Sequence, residues 1–157
     1  MSGDDGTAGG LALGGAPNEL FDDLSFLLAR ANALSLAAGN AALSEHGLRV
    51  RSYSVLSLAA GATRPSQREL AELLRLDPSQ VVALVDELQA RGLVMREPDP
   101  ADRRANVVVA TELGRAVHVA AAADARAAEA ALHDDLSAAD RSRLTALLRR
   151  MAFPSRG

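Results

Sequence analysis

The sequence predicts a mainly α-helical fold, a winged helix-turn-helix with additional helices before and after it. Three features lead to this prediction. Two short helices with clear capping residues are joined by a tight turn, a β-hairpin follows them directly, and apolar stripes at helical spacing occur near both ends of the chain. Residues 18–152 are expected to form one domain. Its winged lobe covers residues 48–111, and its flanking helices cover residues 18–47 and 112–152.

The first helix of the predicted pair begins at Ser66. Glu69 follows three residues later, so the two residues are able to satisfy each other's free backbone donors in a capping box. The apolar residues of this helix share one face: Leu70, Leu73 and Leu74. We expect the helix to end before Pro78, because proline disfavours helical geometry in the residue that precedes it.

The second helix of the pair begins with three favourable residues. Asp77 is expected at the N-cap, Pro78 at the first helical position and Gln80 at the third position of a capping box. The residues expected to be buried recur at helical spacing: Val81, Leu84, Val85 and Leu88. The residues of the opposite face are small or polar: Ser79, Ala83, Asp86 and Ala90. Such a face beside a helix N-terminus lets the backbone approach a phosphate or a base edge.

A β-hairpin is predicted after the second helix. Gly92 suits the left-handed position that commonly ends a helix. The strands are expected over residues 93–97 and 106–110, and the second contains three consecutive valines. Between the strands, two prolines and a cluster of charged residues keep the tip of the hairpin in solvent.

Helices near the two ends of the chain are predicted to carry broad apolar stripes. The first helix begins near Asn18, and its stripe comprises Leu20, Leu24, Leu27, Leu28, Ala31, Leu34 and Ala38. The last begins after a cap at Ser137, and its stripe comprises Leu144, Leu147, Leu148 and Met151. A long alanine-rich helix is expected from Thr111 towards Leu132. These helices form either a monomeric bundle or the contact between two copies, and stripes broader than a small winged core can cover favour a homodimer.

Composition restricts the possible location and chemistry of the protein. The chain has 157 residues, a net charge of −3 and no cysteine, which excludes disulfides, thiolate metal sites and thiol-based sensing. Residues 1–17 are rich in glycine and are expected to form a disordered tail. The sequence has no signal-peptide pattern and no unbroken apolar run of membrane-spanning length. We therefore expect a cytoplasmic protein that does not contact a membrane.

Five segments of the chain, in this order and at this spacing, resemble the MarR family of bacterial transcriptional regulators. They are residues 70–74, 77–88, 91–94, 99–105 and 111–115, and the fourth reads Asp-Pro-Ala-Asp-Arg-Arg-Ala. The resemblance is sharpest over residues 66–115 and extends more loosely over 19–152. It implies a homodimeric repressor that binds pseudo-palindromic double-stranded DNA and is released by a small phenolic or anionic effector. It implies no cofactor.

The resemblance and the small face of the second helix together suggest which residues contact DNA. These candidates are Arg64, Ser66, Arg68, Ser79, Gln80, Val82, Ala83, Asp102, Arg103 and Arg104. The predicted hairpin, with strands at 93–97 and 106–110, is the wing of this fold. The family places an arginine of the Asp-Arg-Arg motif at the wing tip in the minor groove. Arg104 is preferred for that role, Arg103 for a phosphate contact, and Asp102 would orient the inserted side chain.

Base reading is expected from the second helix of the pair. Ser79 and Gln80 are the hydrogen-bonding readers, with Gln80 paired to adenine. Val82 and Ala83 offer only apolar contact, at positions where many family members have a hydroxyl residue and an arginine. Asp86 either accepts from cytosine or pairs with a nearby arginine, and the second role is favoured.

The charge balance argues against a nonspecific nucleic-acid binder. Residues 49–110 contain nine arginines and eight acidic residues, so the chain has no basic block there. Affinity for DNA must then depend on the placement of individual arginines. The acidic isoelectric point near 5.6 keeps one alternative open, a winged-helix module that binds proteins and not DNA. An enzyme is not expected, because no nucleophile motif, phosphate loop or carboxylate pair accompanies the three histidines.

An effector site is implied by the resemblance, in a cleft between the dimer helices and the winged lobe. Its candidate residues are Phe26, Arg30, His46, Tyr53 and His118. Each of them has an ordinary structural alternative in the core, in a loop or on the surface. A zinc-responsive regulator of the same fold is the other possibility, with ligands from His46, His118, His133 and Glu45. No two histidines have the i, i+4 spacing of a helical metal site, and no metal site is assigned.

Overall fold

The computed structural model describes residues 19–102 and 104–154. Its elements are a 3₁₀ turn at Glu19–Asp22, α1 at Leu24–Leu43, a second 3₁₀ turn at Ser44–His46, α2 at Val50–Ala60, α3 at Gln67–Leu74, α4 at Pro78–Ala90, β1 at Val94–Pro98, β2 at Asn106–Ala110, α5 at Glu112–Leu132 and α6 at Ala138–Ala152. The predicted fold class is confirmed: the helix pair α3–α4 and the hairpin β1–β2 form a winged helix-turn-helix with helices on either side. The tail predicted for residues 1–17 lies outside the described residues.

The chain divides between Ala33 and Leu34 into two compact units. In the first, the rings of Phe21 and Phe26 meet edge to face with their centroids 6.1 Å apart. The first helix begins at Leu24, later than the predicted start near Asn18, because Asp23 acts as its cap. The Oδ1 atom of Asp23 accepts a hydrogen bond from the backbone N–H of Phe26 at 2.8 Å.

The core of the second unit lies under the helix pair and the hairpin. Its largest fully buried side chains come from α1, α2, α3, α4 and the two strands, and from the loop before α2: Leu43, Leu48, Val55, Leu56, Leu70, Val81, Val85, Leu88, Val94 and Val108. Removing these apolar side chains from water stabilises the lobe. The predicted buried face of α4 is confirmed for Val81, Val85 and Leu88, whereas Leu84 is half-buried.

The hairpin is antiparallel, and its register runs from Val94 opposite Ala110 to Pro98 opposite Asn106. The first strand begins one residue later than predicted because Leu93 belongs to the turn that closes α4. The N–H of Leu93 bonds the carbonyl oxygen of Leu88 at 2.9 Å, and Gly92 has a φ of +69°. This is the Schellman arrangement that the glycine signal predicted.

Both later helices begin at the predicted caps. The Thr111 hydroxyl oxygen accepts from the N–H of Gly114 at 3.0 Å, and that of Ser137 accepts from Asp140 at 3.1 Å. Helix α5 starts directly against the wing. A Cβ atom added at Gly114 would lie 1.9 Å from the carbonyl oxygen of Leu93, so the first turn of α5 requires glycine there.

The terminal helices leave most of their apolar side chains in solvent. Leu43 is the buried residue of α1, and α6 buries none of its residues. The helical segment Leu24–His46 contains an 18-residue window with a mean hydropathy of 1.2, and by length and composition alone it is apolar enough to cross a membrane. It is not an unbroken apolar run, because Arg30, Asn32 and Asn40 interrupt it. Alanine and leucine raise the average although polar residues interrupt the run, and a single such helix is weak evidence for a membrane protein.

Candidate nucleic-acid interface

The predicted capping box at the start of α3 is confirmed. The Ser66 hydroxyl oxygen accepts from the N–H of Glu69 at 3.2 Å, and the Glu69 carboxylate accepts from the N–H and the hydroxyl of Ser66, both at 2.8 Å. The hydrogen bond from the backbone of Ser66, followed by the one from its hydroxyl, lowers the pKa of Glu69. The serine that was predicted to contact DNA therefore also fixes the direction in which α3 begins.

Helix α4 presents the small face that the sequence predicted. Four candidate readers, Ser79, Gln80, Val82 and Ala83, are all exposed in its first two turns. The Oε1 atom of Gln80 accepts from the backbone N–H of Asp77 at 3.2 Å, which confirms this half of the predicted capping box. A groove of about 780 Å³ separates this turn from α3, and Arg68 lies along it.

Arg96 on β1 connects the wing to both helices of the pair. Its Nε atom donates to Gln67 on α3 at 2.7 Å, while Nη1 donates to Gln89 at 2.7 Å and Nη2 to Asp86 at 2.6 Å, both on α4. The favoured role of Asp86 as the partner of an arginine is confirmed. The planar guanidinium offers donors in a fixed fork, so one side chain determines how three elements are placed.

A second connection joins the wing to the segment before α3. The N–H of Val108 donates to the carbonyl oxygen of Pro65 at 2.8 Å. Ser66 and Val107 form an isolated antiparallel bridge beside it. The start of α3 is thereby held against β2, and the hairpin cannot shift without moving the helix pair.

The wing tip is ordered by hydrogen bonds to its own backbone. The Oδ1 atom of Asp102 accepts from the backbone N–H of Arg104 at 3.0 Å, and that of Asp99 accepts from Ala101 at 2.8 Å. Asp102 thus orients the backbone at Arg104, and the side chain of Arg104 is exposed. The other predicted wing arginine, Arg103, lies outside the described residues.

Two other candidate arginines form ion pairs at the surface. Arg64 pairs with Glu97 on β1, and Arg68 pairs with Glu72 one turn along α3 at 3.0 Å. The side chain of Arg68 is 88% exposed. Exposed pairs of this kind contribute little to stability, so the guanidinium of Arg68 is able to turn to another anion at little cost.

The candidate effector residues fall into separate groups. Tyr53 stacks on His118 with ring centroids 5.7 Å apart, and His118 Nε2 lies 3.2 Å from the Ser57 hydroxyl. His46 Nε2 lies 2.6 Å from Asp124 on α5. Phe26 and Arg30 belong to the N-terminal unit, where Phe26 packs on Phe21 and Arg30 is exposed.

The zinc alternative finds no preformed site in the part of the chain that the structure describes. Within residues 19–102 and 104–154, no three His, Asp or Glu side chains form a group suited to a metal ion. His118 contacts serine and tyrosine, and His46 contacts a single carboxylate. Zinc in proteins almost always has at least three protein ligands.

Sequence reasoning did not find the Arg96 network. Asp86 and Gln89 lie three residues apart on α4 and so share a face. This spacing indicates a common polar partner but does not show that the partner is Arg96. Arg91 was also missed as a structural residue. Its guanidinium donates to the backbone oxygens of His46 at 2.8 Å and Gly47 at 2.6 Å, and it holds the loop before α2.

Comparison with known proteins gives the same assignment as the fold. A MarR family model matches residues 46–105. The structure of a MarR family transcriptional regulator from Rhodococcus sp. RHA1 is 44% identical, with a TM-score of 0.81, over 87% of this chain and 98% of that chain. The chain belongs to the MarR family. The solved relative is a transcriptional regulator of this family.

Three further MarR-like relatives show the range of the similarity. CouR from Rhodococcus jostii RHA1, solved with p-coumaroyl-CoA, is 45% identical over 88% of this chain and 97% of that one, with a TM-score of 0.81. A CouR repressor bound to a 23-mer DNA duplex is 28% identical over 92% of this chain and 100% of that chain, with a TM-score of 0.79. The repressor NicR of Pseudomonas putida is 37% identical over 86 residues. That alignment spans 55% of this chain and only 54% of NicR.

Proposed function

We propose that this protein is a sequence-specific DNA-binding transcriptional repressor that acts as a homodimer on pseudo-palindromic operators. One observation supports this most strongly. Arg96 holds α3, α4 and the wing together while the first turns of α4 stay exposed. A rigid helix with a small face, next to a hairpin with an arginine at its tip, suits simultaneous contact with a major groove and the neighbouring backbone. The proposed place of action is the cytoplasm, where bacterial DNA lies.

The charges of the lobe support phosphate contacts at defined points. Arg68 on α3 and Arg104 at the wing tip are both exposed. In the proposed complex, Arg68 contacts the backbone beside the major groove, and the wing arginines contact the backbone or the minor groove. Each neutralised phosphate releases counterions, so binding should weaken as the salt concentration rises.

The exposed terminal helices support the homodimer. Four apolar side chains of α6 are 40–53% exposed in the single chain: Leu144, Leu147, Leu148 and Met151. Leu24 and Leu34 on α1 are 63% and 50% exposed. Apolar stripes of this size on both helices are typical of surfaces that a second copy covers. A two-fold dimer would present two copies of α4 to successive major grooves.

We further propose that an aromatic anionic effector releases the DNA. The solved relative CouR, at 45% identity, holds p-coumaroyl-CoA, which makes an aromatic acyl thioester of coenzyme A the first ligand to test. The stacked pair Tyr53 and His118 offers an aromatic surface with a polar edge beside Ser57. Zinc is the second candidate effector, although the described histidines are not grouped for it.

A direct binding experiment tests the proposal. Fluorescence anisotropy with DNA flanking the protein's own gene should show saturable binding that falls steeply with salt. A scrambled duplex of equal length and composition is the control. Addition of p-coumaroyl-CoA should reverse binding, while coenzyme A alone should not. Equal affinity for the operator and the scrambled duplex would contradict sequence-specific binding. No binding to either would support the protein-interaction module instead.

A further inference from the structure

We propose that Gln80 reads its base pair as a hydrogen-bond donor only, so that its position in the operator carries guanine, or thymine as second choice, and not adenine. This inference rests on the proposed DNA binding and specifies which base edge the helix recognises. It follows from the way in which the residue caps its own helix.

The amide of Gln80 has a defined orientation. Its Oε1 atom accepts from the backbone N–H of Asp77 at 3.2 Å. Turning the amide over would place its NH₂ group against that N–H, so two donors would face each other. The backbone therefore selects the orientation in which Oε1 points back to Asp77 and the NH₂ group remains for a ligand.

The other side chains of the exposed face do not change what the Gln80 amide itself offers. Val82 and Ala83 are apolar, and the carboxylate of Asp86 already accepts from Arg96 at 2.6 Å. Ser79 is the remaining reader with a polar side chain. Its hydroxyl both donates and accepts, so the donor-only character belongs to Gln80 alone. The outward NH₂ of Gln80 and the methyl groups of Val82 and Ala83 match the acceptors of guanine and the O4 atom and methyl group of thymine.

The adenine pairing expected from the sequence requires a different state of the residue. To pair with adenine through two hydrogen bonds, glutamine accepts from N6 while it donates to N7. The oxygen needed for N6 is the one that caps Asp77, so adenine would have to use its second lone pair while the side chain stays turned towards the Asp77 N–H. Guanine has no such requirement, because its O6 and N7 atoms both accept.

The substitution Gln80→Glu tests this directly. Glutamate keeps one oxygen for the N–H of Asp77, as in a Ser/Thr-x-x-Glu box, and presents a second oxygen in place of the outward NH₂. It therefore converts the reader from a donor to an acceptor without removing the cap. Gln80→Ala removes both groups. Ala90→Glu adds the same charge at the exposed far end of α4 and controls for electrostatic repulsion by DNA.

Operators should be selected from a randomised duplex library with the full-length protein and each variant. The wild type should select guanine or thymine at one symmetric position in each half-site. Gln80→Glu should shift the ratio of affinities there by about ten-fold towards cytosine or adenine, whose exocyclic amines donate. Gln80→Ala should lose the preference at that position, and Ala90→Glu should weaken all sequences alike. Circular dichroism should show equal helix content in the wild type and Gln80→Glu.

The possible failures can be told apart. If the wild type selects an inverted repeat in which the Gln80-dependent base is adenine, the donor-only assignment is overturned while the proposed function stands. The same conclusion follows if Gln80→Glu keeps the wild-type preference at every position. If the wild type selects no sequence from the library, the proposed function fails and this inference fails with it.

Discussion

Arg96 on β1 donates a hydrogen bond of 2.6 Å to Asp86 on α4, and this pair joins the wing to the helix that we propose reads DNA. The same guanidinium also bonds Gln67 and Gln89, so three nitrogen atoms have three separate partners. Its side chain is 24% exposed, compared with 88% for Arg68. The geometry of the reading lobe therefore depends on a residue that need not touch DNA.

Replacement of Arg96 by lysine should separate geometry from charge. A lysine ammonium is a point charge and does not reproduce the planar fork. We expect the free energy of unfolding to fall by about 1–2 kcal/mol, and operator binding to weaken. Arg68→Lys is the control, because the ion pair of Arg68 is exposed. It should change the free energy of unfolding by less than about 0.5 kcal/mol. Urea unfolding and anisotropy titrations measure both effects, and wild-type values for Arg96→Lys would show that the network is not needed.

The close approach of α5 to the wing makes Gly114 sensitive to substitution. In Gly114→Ala the new methyl group would meet the carbonyl oxygen of Leu93 at 1.9 Å, so backbone must move. We expect the free energy of unfolding to fall by about 1–3 kcal/mol or more, as at other overpacked sites. Gly61→Ala is the matched control, since its new Cβ would make an ordinary contact at 3.4 Å. Equal melting temperatures for the two variants would contradict the prediction.

The capping box of α3 should give the protein a specific response to acid. The backbone N–H of Ser66 and then its hydroxyl lower the pKa of Glu69 below its ordinary value of 4.5. A carboxyl group whose pKa is lower in the folded than in the unfolded state gives its full stabilisation at pH values above the pKa of the unfolded state. That stabilisation is lost as the pH falls through the pKa of the folded state. Glu69→Gln keeps an acceptor that does not titrate and should flatten the fall in unfolding free energy below pH 4.5. Urea titrations across this range would measure it, and parallel curves for the two proteins would contradict it.

The wing arginines should contribute to DNA affinity without contributing to the fold. Arg104 is exposed at the tip, and its backbone is held by Asp102. We expect the double substitution Arg103→Ala and Arg104→Ala to weaken operator binding. The slope of log affinity against log salt should become shallower by about one for each phosphate that the wing no longer neutralises. The melting temperature should not change. An unchanged slope at wild-type affinity would mean that the wing does not bind DNA.

The apolar face of α6 should decide the oligomeric state. Changing Leu144 and Leu148 to aspartate places two charges in the proposed dimer interface. At the same concentration, the wild type should be dimeric and the double variant monomeric or aggregated. Deletion of residues 137–157 should likewise give aggregation or loss of folding. Analytical ultracentrifugation at micromolar concentration distinguishes these states. Arg143→Asp, on the same helix but outside the leucine stripe, is the control. A folded, monomeric wild type would contradict the dimer.

Local features of the fold were predictable from the sequence because their causes lie within a few residues. The caps at Ser66, Asp77, Thr111 and Ser137 each depend on the residue three positions further along the chain, and the predicted helix starts agree with the structure. Gly92 ended α4 as expected. The start of α1 was misjudged because the apolar stripe continues through the 3₁₀ turn, whereas the cap at Asp23 determines where the α-helix begins.

By itself, the sequence determined the order of the elements from α3 to α6, the buried face of α4 and the small exposed face that points to DNA, but it did not predict α2 at Val50–Ala60. Only the tertiary structure decided how the polar side chains pair. Arg96 meets Gln67 across 29 residues of chain, and His46 meets Asp124 across 78. Hydrophobic periodicity and capping are local properties, which a linear pattern records. A hydrogen bond between distant side chains depends on how the whole core packs, and that packing set the Arg96 network and the requirement for glycine at position 114.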